Sequence, residues 1–394
     1  GLIDRTRIDP TTVDLLVMGT VIADPQTSNL GREVVLGTQL PDSCPAYTTS
    51  VACVSSLQSF VDCARAVACG DADVAIAAGA ETLSDAPIRY RRSVRKRLIA
   101  SQKARGPGDY LKLLKGLRPK DLLPEPVALA EFSTGEVMGQ NCERLAKRFH
   151  ISRSEQDEYA LRSHHRAAAA TGDGLLARQI EPVFPGPGFA AVSSDNGIRG
   201  DTSPDKLAGL RPAFDRLFGT VTAGNSSYLT DGGAAVLLAS EEAAERLGLE
   251  PMAVLKSTAM AALDPLEELL LGPALTIPAA LEQAGLELED VEVVELHEAF
   301  AAQVLAVLKA LDDEEFCRQR LGRDRPVGAV DPARLNAWGG SLSVGHPFGA
   351  TGARLITTCC HRLEVEKARY GLVAACAAGA IGIGLVIERC GGGE

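Results

Sequence analysis

The apolar positions of this 394-residue chain fall into short unbroken runs separated by helix-length stretches. Leu15 to Met18 and Val74 to Ala78 are two such runs, closed by Gly19 and Gly79. Met252 to Lys256, Val291 to Leu296, Gly371 to Cys376 and Ile383 to Ile387 repeat the pattern. A half-exposed strand alternates apolar and polar positions, so runs without alternation predict strands buried on both faces. Helices are predicted between them over Ser55 to Ala68, Glu241 to Leu247, Thr276 to Ala284 and Ala350 to Leu363. Strands alternating with helices predict a layered α/β fold.

The pattern carries an internal echo. A small-residue helix beginning at Cys53 leads through Gly70 into Val74–Ala78 and Gly79. Another, beginning near Gly349, leads through Gly371 into Leu372–Cys376 and Ala377-Ala378-Gly379. Two similar α/β halves meeting face to face would place both loops at one cleft; chance similarity of α/β units is the alternative. The expected division is a first half of residues 1–85 and 213–250, a loop domain of residues 86–212, and a second half of residues 251–394. Within the loop domain, helices are predicted over Gly139 to Phe149 and Glu155 to Ala170. The second follows Ser152-x-x-Glu155, a capping box, and the Pro/Gly-rich Pro182 to Gly188 reads as loop. Excursions this long usually carry function or oligomer contacts.

Composition narrows the class. The chain is 46% hydrophobic and 23% charged, which suits a globular protein of two or three domains. No run of about 18 apolar residues suggests a membrane span, and polar Gly1 to Pro10 argues against a signal peptide. The ten cysteines are irregularly spaced without C-x-x-C, so most read as buried thiols in a reducing compartment. No Cys/His cluster has zinc spacing along the chain, so no metal is expected. A net charge of -11 disfavours nucleic acid. Yet Ile88 to Lys120 holds twelve Lys or Arg against one acid, Asp109. That basic stretch suits the phosphates of a ligand or an anionic membrane surface, with a solvated helical face as the plain alternative.

Three motifs carry candidate chemistry. Ser50-Val51-Ala52-Cys53-Val54-Ser55-Ser56 puts a cysteine where an extended stretch enters a helix, whose N–H groups and dipole would favour a thiolate. Gly345-His346-Pro347 lies in a run of five glycines and a proline, a tight turn that lets a ligand approach backbone. Cys376-Ala377-Ala378-Gly379 ends a strand with small residues that leave room for a thioester and free N–H groups. Taken singly, a buried cysteine, a core histidine and a plain strand turn are the bland readings.

Together these motifs resemble the thiolase family, over nearly the whole chain. The likeness extends to Ala80-Glu81-Thr82-Leu83-Ser84, Asn225 to Gly232, and His297-Glu298-Ala299-Phe300. It is closest to the branch formed by β subunits of fatty-acid oxidation trifunctional complexes, which has His-Glu-Ala-Phe where many relatives have Asn-Glu-Ala-Phe. Leu111 to Gly139, with Glu131-Phe132-Ser133-Thr134, also looks like that branch. The resemblance implies a five-layer αβαβα sandwich with an inserted loop domain. It implies thiolytic cleavage of medium- or long-chain 3-ketoacyl-CoA in fatty-acid β-oxidation. Cys53 would be the nucleophile, His346 its base, and Cys376 the acid/base. His297 and His346 would serve one oxyanion, and the N–H groups of Cys53 and Ala378 the other. Met138, Ser227 and Phe300 match positions lining the pantetheine tunnel in relatives, with core packing as the alternative. Coenzyme A would be a co-substrate, with no permanently bound cofactor.

The resemblance also implies a homodimer or higher, and leaves room for a hydratase/dehydrogenase α subunit and a peripheral membrane contact through residues 88–120. Bacterial cytoplasm and an organelle matrix are both open. The rivals are a biosynthetic acetoacetyl-CoA thiolase, a non-catalytic scaffold of the same fold, and a ketoacyl synthase, which Cys376 disfavours. Two departures stand out. The family's first strand is expected to be missing here, and Ala380 replaces a usual glycine, where its extra methyl is expected to crowd the oxyanion site or change substrate preference.

Overall fold

The computed structural model describes residues 1–125 and 130–391. Parts of the expected loop domain (126–129) and second half (392–394) lie outside the described residues. The first sheet is built from β1 (Leu15–Gly19), β2 (Ala46–Thr49), β3 (Val74–Glu81) and β4 (Gly232–Ala239), in the order β2-β1-β3-β4. β1 is parallel to both β2 and β3, and β4 runs antiparallel to β3. The second sheet contains β5 (Ala253–Ala262), β6 (Val293–Leu296), β7 (Tyr370–Ala377) and β8 (Ile381–Arg389), in the order β5-β8-β7-β6. β3 and β7 are buried almost throughout, as their unbroken apolar runs require.

Helices fill the spaces between and outside the sheets. α1 (Leu30–Leu36) covers the outer face of the first sheet and α2 (Ser55–Ala68) its inner face. The chain leaves that sheet after β3 and returns at β4. On the way it forms α3 (Arg92–Ser101), α4 (Pro107–Leu114), α5 (Met138–Arg148) and α6 (Arg153–Gly172). The Ser152 hydroxyl accepts the Glu155 N–H at 3.2 Å and the Glu155 carboxylate accepts the Ser152 N–H at 2.6 Å, so α6 starts where the capping box puts it. α7 (Gly272–Ala284) covers the outer side of the second sheet with α8 (Ala301–Asp312) packed against it, and α9 (Thr351–Val365) lies beside α2 between the two sheets. The order helix, sheet, helix pair, sheet, helix is the five-layer αβαβα sandwich. The repeated helix-to-strand units, α2–β3 and α9–β7, supply its central layer and inner strands.

Small residues let the halves touch at this centre. A Cβ at Gly79 would collide with the backbone oxygen of Gly349, and one at Gly352 would sit 2.5 Å from Leu57 N. Across the same crossing the buried Glu81 carboxylate accepts N–H bonds from Val21 at 3.0 Å, Ile22 at 2.9 Å and Gly349 at 3.0 Å. One side chain thus ties the end of β3 to the histidine loop of the other half. Such charge-assisted bonds are roughly twice as strong as neutral ones.

Candidate active site

Three loops converge where α2 and α9 begin. Ala52 precedes Cys53 with φ of 46°, a left-handed conformation that turns the chain sharply into α2. The turn is fixed by Ser55, whose hydroxyl accepts the Val51 N–H at 2.9 Å and donates to the Ala52 carbonyl at 2.6 Å. In the second half, β6 runs into His297, whose N–H is held by the Ala374 carbonyl of β7 at 2.9 Å. His346 follows Gly345, whose φ of 95° suits glycine. The His346 N–H donates to the Tyr228 carbonyl at 3.0 Å.

The outcome is a compact trio. Sγ of Cys53 and a ring nitrogen from each of His297 and His346 lie within 4.8 Å of one another. The imidazole centroids are 4.2 Å apart and both rings are buried. Nδ1 of His297 is 3.0 Å from the Ser341 hydroxyl, and Nδ1 of His346 is 2.7 Å from the Thr351 hydroxyl. Both Nε2 atoms are buried without a protein partner. Spacing along the chain gave no zinc-like cluster, yet the fold assembles a Cys-His-His donor set from three distant loops. Those donors could hold a metal ion, or serve a thiol and an oxyanion.

Burial controls the protonation states. It pushes the Cys53 thiol up to about 12, against the pull of the Ala378 and Cys53 backbone N–H groups. The sequence expectation of a helix-stabilised thiolate is therefore corrected: desolvation outweighs the local N–H groups, and the resting thiol is protonated. Cys376 is raised still further by burial and next by the neighbouring Cys53. His346 is held down to about 3 by burial and then by the charge of Arg354, and His297 is lowered by burial, His346 and Arg354. At neutral pH the site holds neutral thiols and neutral imidazoles.

The other expected positions surround this centre. Ala378 follows β7 directly, and its N–H faces the Cys53 sulfur. Phe300 is buried at the start of α8, edge-on to Phe214 at 6.0 Å, and Met138 at the start of α5 packs on the same apolar cluster. Ser227 lies alongside, its N–H bonded to the Ala299 carbonyl at 3.0 Å. Ala380 adopts φ of 56°, which costs about 1–2 kcal/mol for a residue with a Cβ. It is fully buried in the second-half core.

Sequence reading gave no role to the residues that hold these loops. Glu298 is buried and accepts from Tyr159 Oη at 2.9 Å, Ser163 Oγ at 2.7 Å, Asn336 Nδ2 at 2.7 Å and Leu342 N at 3.2 Å. Its signal was an acid beside His297, just past the end of a buried strand. Ser341, Thr351 and Arg354 had no such signal, because their partners lie far along the chain or across a turn.

Two thiols from opposite halves beside two neutral imidazoles are the equipment of an enzyme that forms and resolves a thioester. Residues 1–242 match the thiolase N-terminal domain and residues 249–389 the thiolase C-terminal domain. Bovine mitochondrial trifunctional enzyme subunit beta is 46% identical over 98% of this chain and 81% of its own length. A 3-ketoacyl-CoA thiolase of Pectobacterium carotovorum is 46% identical over 98% of this chain and 89% of its own. The crystal structure of human mitochondrial 3-ketoacyl-CoA thiolase in complex with CoA superposes with a TM-score of 0.82 at 30% identity, covering 98% of this chain and 89% of that one. The chain belongs to the thiolase family.

Proposed function

We propose that this protein is a degradative 3-ketoacyl-CoA thiolase, cleaving a medium- or long-chain 3-ketoacyl-CoA with CoA to give acetyl-CoA and an acyl-CoA two carbons shorter. The observation that carries the reading is the gathering of Cys53 with two unpartnered imidazole nitrogens. Nε2 of His346 takes the Cys53 proton as the sulfur attacks the 3-keto carbon. The bond to the next carbon breaks, leaving its electron pair on the acetyl-CoA fragment as an enolate. The Cys376 thiol protonates that carbon and acetyl-CoA departs. Cys376 then takes the proton of incoming CoA, whose sulfur displaces Cys53 from the acyl group, and Cys53 recovers its proton from His346.

Two oxygens become charged along this path. His297 and His346 serve the enolate oxygen, and the N–H groups of Cys53 and Ala378 serve the tetrahedral one. Losing one such donor typically costs about 2.7–4 kcal/mol in barrier. Met138, Ser227 and Phe300 contact the pantetheine arm of CoA, which acts as co-substrate and not as a resident cofactor.

The test is mass spectrometry of the protein mixed with a long-chain 3-ketoacyl-CoA in the absence of CoA. An acyl mass on the Cys53 peptide is expected; an unmodified Cys53 beside consumed substrate would remove the reading. Faster turnover of the long-chain substrate than of acetoacetyl-CoA separates degradation from biosynthesis.

The surroundings of the reaction belong to the same proposal. The working molecule is at least a homodimer, in bacterial cytoplasm or an organelle matrix, and an α subunit with hydratase and dehydrogenase activities is its natural supplier of substrate. Residues 88–120 rest on an anionic membrane: their helices expose Leu98, Ile99, Tyr110, Leu111 and Leu114 among the basic side chains. No helix among the described residues is long and apolar enough to cross a membrane. The division into two halves and a loop domain at the boundaries given above is proposed with it.

A further inference from the structure

The two imidazoles look alike in burial and in their free Nε2 atoms, but their Nδ1 partners differ. The Ser341 hydroxyl beside His297 also receives a hydrogen bond from Nη2 of Arg354 at 2.8 Å. A guanidinium only donates, so one lone pair of Ser341 is committed. Ser341 is fully buried, and among the described residues the sole acceptor within reach of its proton is Nδ1 of His297 at 3.0 Å. If Nδ1 carried a hydrogen, the buried hydroxyl proton would be stranded, at a cost of about 1–3 kcal/mol. The Thr351 hydroxyl beside His346 has a different outlet. It reaches the Pro347 carbonyl at 3.4 Å, one turn back, so its oxygen is free to accept the Nδ1 hydrogen of His346 at 2.7 Å.

We propose that Arg354, acting through Ser341, is a positioning residue that locks His297 in the tautomer whose Nε2 carries the hydrogen, while Thr351 lets His346 adopt the opposite one. The pair then divides the labour. His297 presents a hydrogen-bond donor to the reacting oxygen, and His346 presents a lone pair to the Cys53 thiol. A neutral imidazole does each task because its other nitrogen is already committed. The charge of Arg354 adds to this by disfavouring protonation of both rings. The same arrangement makes the Cys-His-His trio a poor metal site at rest, since a metal would need the Nε2 lone pair that His297 does not offer.

The catalytic consequence rests on the thiolase mechanism above, but the tautomer itself does not. Long-range proton–nitrogen correlation spectra of histidine-labelled protein at pH 7.5 report which ring nitrogen is protonated. The expected spectrum has His297 protonated at Nε2 and His346 at Nδ1, each assigned by loss of its signals in the His→Asn variant. Finding His297 protonated at Nδ1 overturns the proposal, whether or not the enzyme is active. Ser341→Ala and Arg354→Met should then slow carbon–carbon cleavage at least tenfold more than they slow acylation of Cys53 by an acyl-CoA. Cleavage charges the oxygen that His297 serves; acylation charges the one held by backbone N–H groups. Arg354→Lys, which keeps a donor, should recover part of the loss. Equal slowing of both half-reactions would mean that Arg354 and Ser341 merely support the fold, and would overturn the assignment. An inactive protein with the expected spectrum would count against the thiolase reading alone.

Discussion

The two halves repeat one plan but differ at the edges of their sheets. In the second sheet β8 lies between β5 and β7, and its centre is buried from Gly382 to Ile387. In the first sheet the corresponding β4 pairs, among the described residues, with β3 alone, and its residues are mostly half-buried. The cysteines follow the same asymmetry. Cys376 sits 1% exposed in the large core of the second half, whereas Cys53 remains partly accessible. A nucleophile has to be reached by a bulky thioester, while an acid/base that protonates an enolate works best shielded from water. The duplicated fold gives each thiol the surroundings its proposed task needs.

Breaking the contact between the halves should have the largest effect. In Gly79→Ala the new methyl meets the Gly349 backbone and the Ser56 side chain. Overpacking of a closely packed centre costs about 1–3 kcal/mol. The variant should unfold at lower urea and lose activity by displacing the His346 loop. Glu81→Gln should cost less, about 1–2 kcal/mol, since one amide oxygen replaces a carboxylate that accepts three N–H bonds. Its activity should fall more than its stability suggests, read as a drop in kcat at modest change in urea midpoint.

Acid sensitivity should be concentrated in the second half. The unfolded chain protonates His346 near pH 6.5, while the folded protein resists until about pH 3. The unfolded state thus binds more protons in that window, so stability falls as pH drops from about 6.5 toward 3. Each such histidine contributes at most about 1.4 kcal/mol per pH unit. His346→Asn should flatten the dependence by about one proton, measured from urea midpoints between pH 4.5 and 6.5. An unchanged slope would place the acid sensitivity elsewhere.

Much of the buried framework was legible before the structure, because buried strands without alternation are hard to mistake. Gly371 to Cys376 and Ile383 to Ile387 lie within β7 and β8, and Ser55 to Ala68 is α2 residue for residue. β4 was not legible: its two glycines and alanines carry no apolar run, and pairing with β3 makes it a strand. β2 is four residues long with exposed and half-buried positions, too short for a pattern. The start of α7 was placed four residues late, at Thr276, because Gly272-Pro273 reads as a loop although proline is tolerated in a first turn. Cys53, His297 and His346 were legible as motifs, and the resemblance implied that they act at one centre, but spacing along the chain alone could not bring them together. Their convergence depends on glycine-mediated contact between halves nearly 300 residues apart in sequence. The tautomer-setting hydroxyls were hidden for the same reason, since a serine or threonine gains meaning only from what it touches.

The most direct measurement compares partial reactions of Cys53→Ala and Cys376→Ala. With an acyl-CoA, Cys376→Ala should still load one acyl group on Cys53, and with a 3-ketoacyl-CoA and CoA it should turn over at least a thousandfold more slowly than the parent. Cys53→Ala should do neither. Comparable residual turnover in the two variants, or acyl loading that survives loss of Cys53, would contradict the claim that each half contributes one thiol to a single acyl carbon.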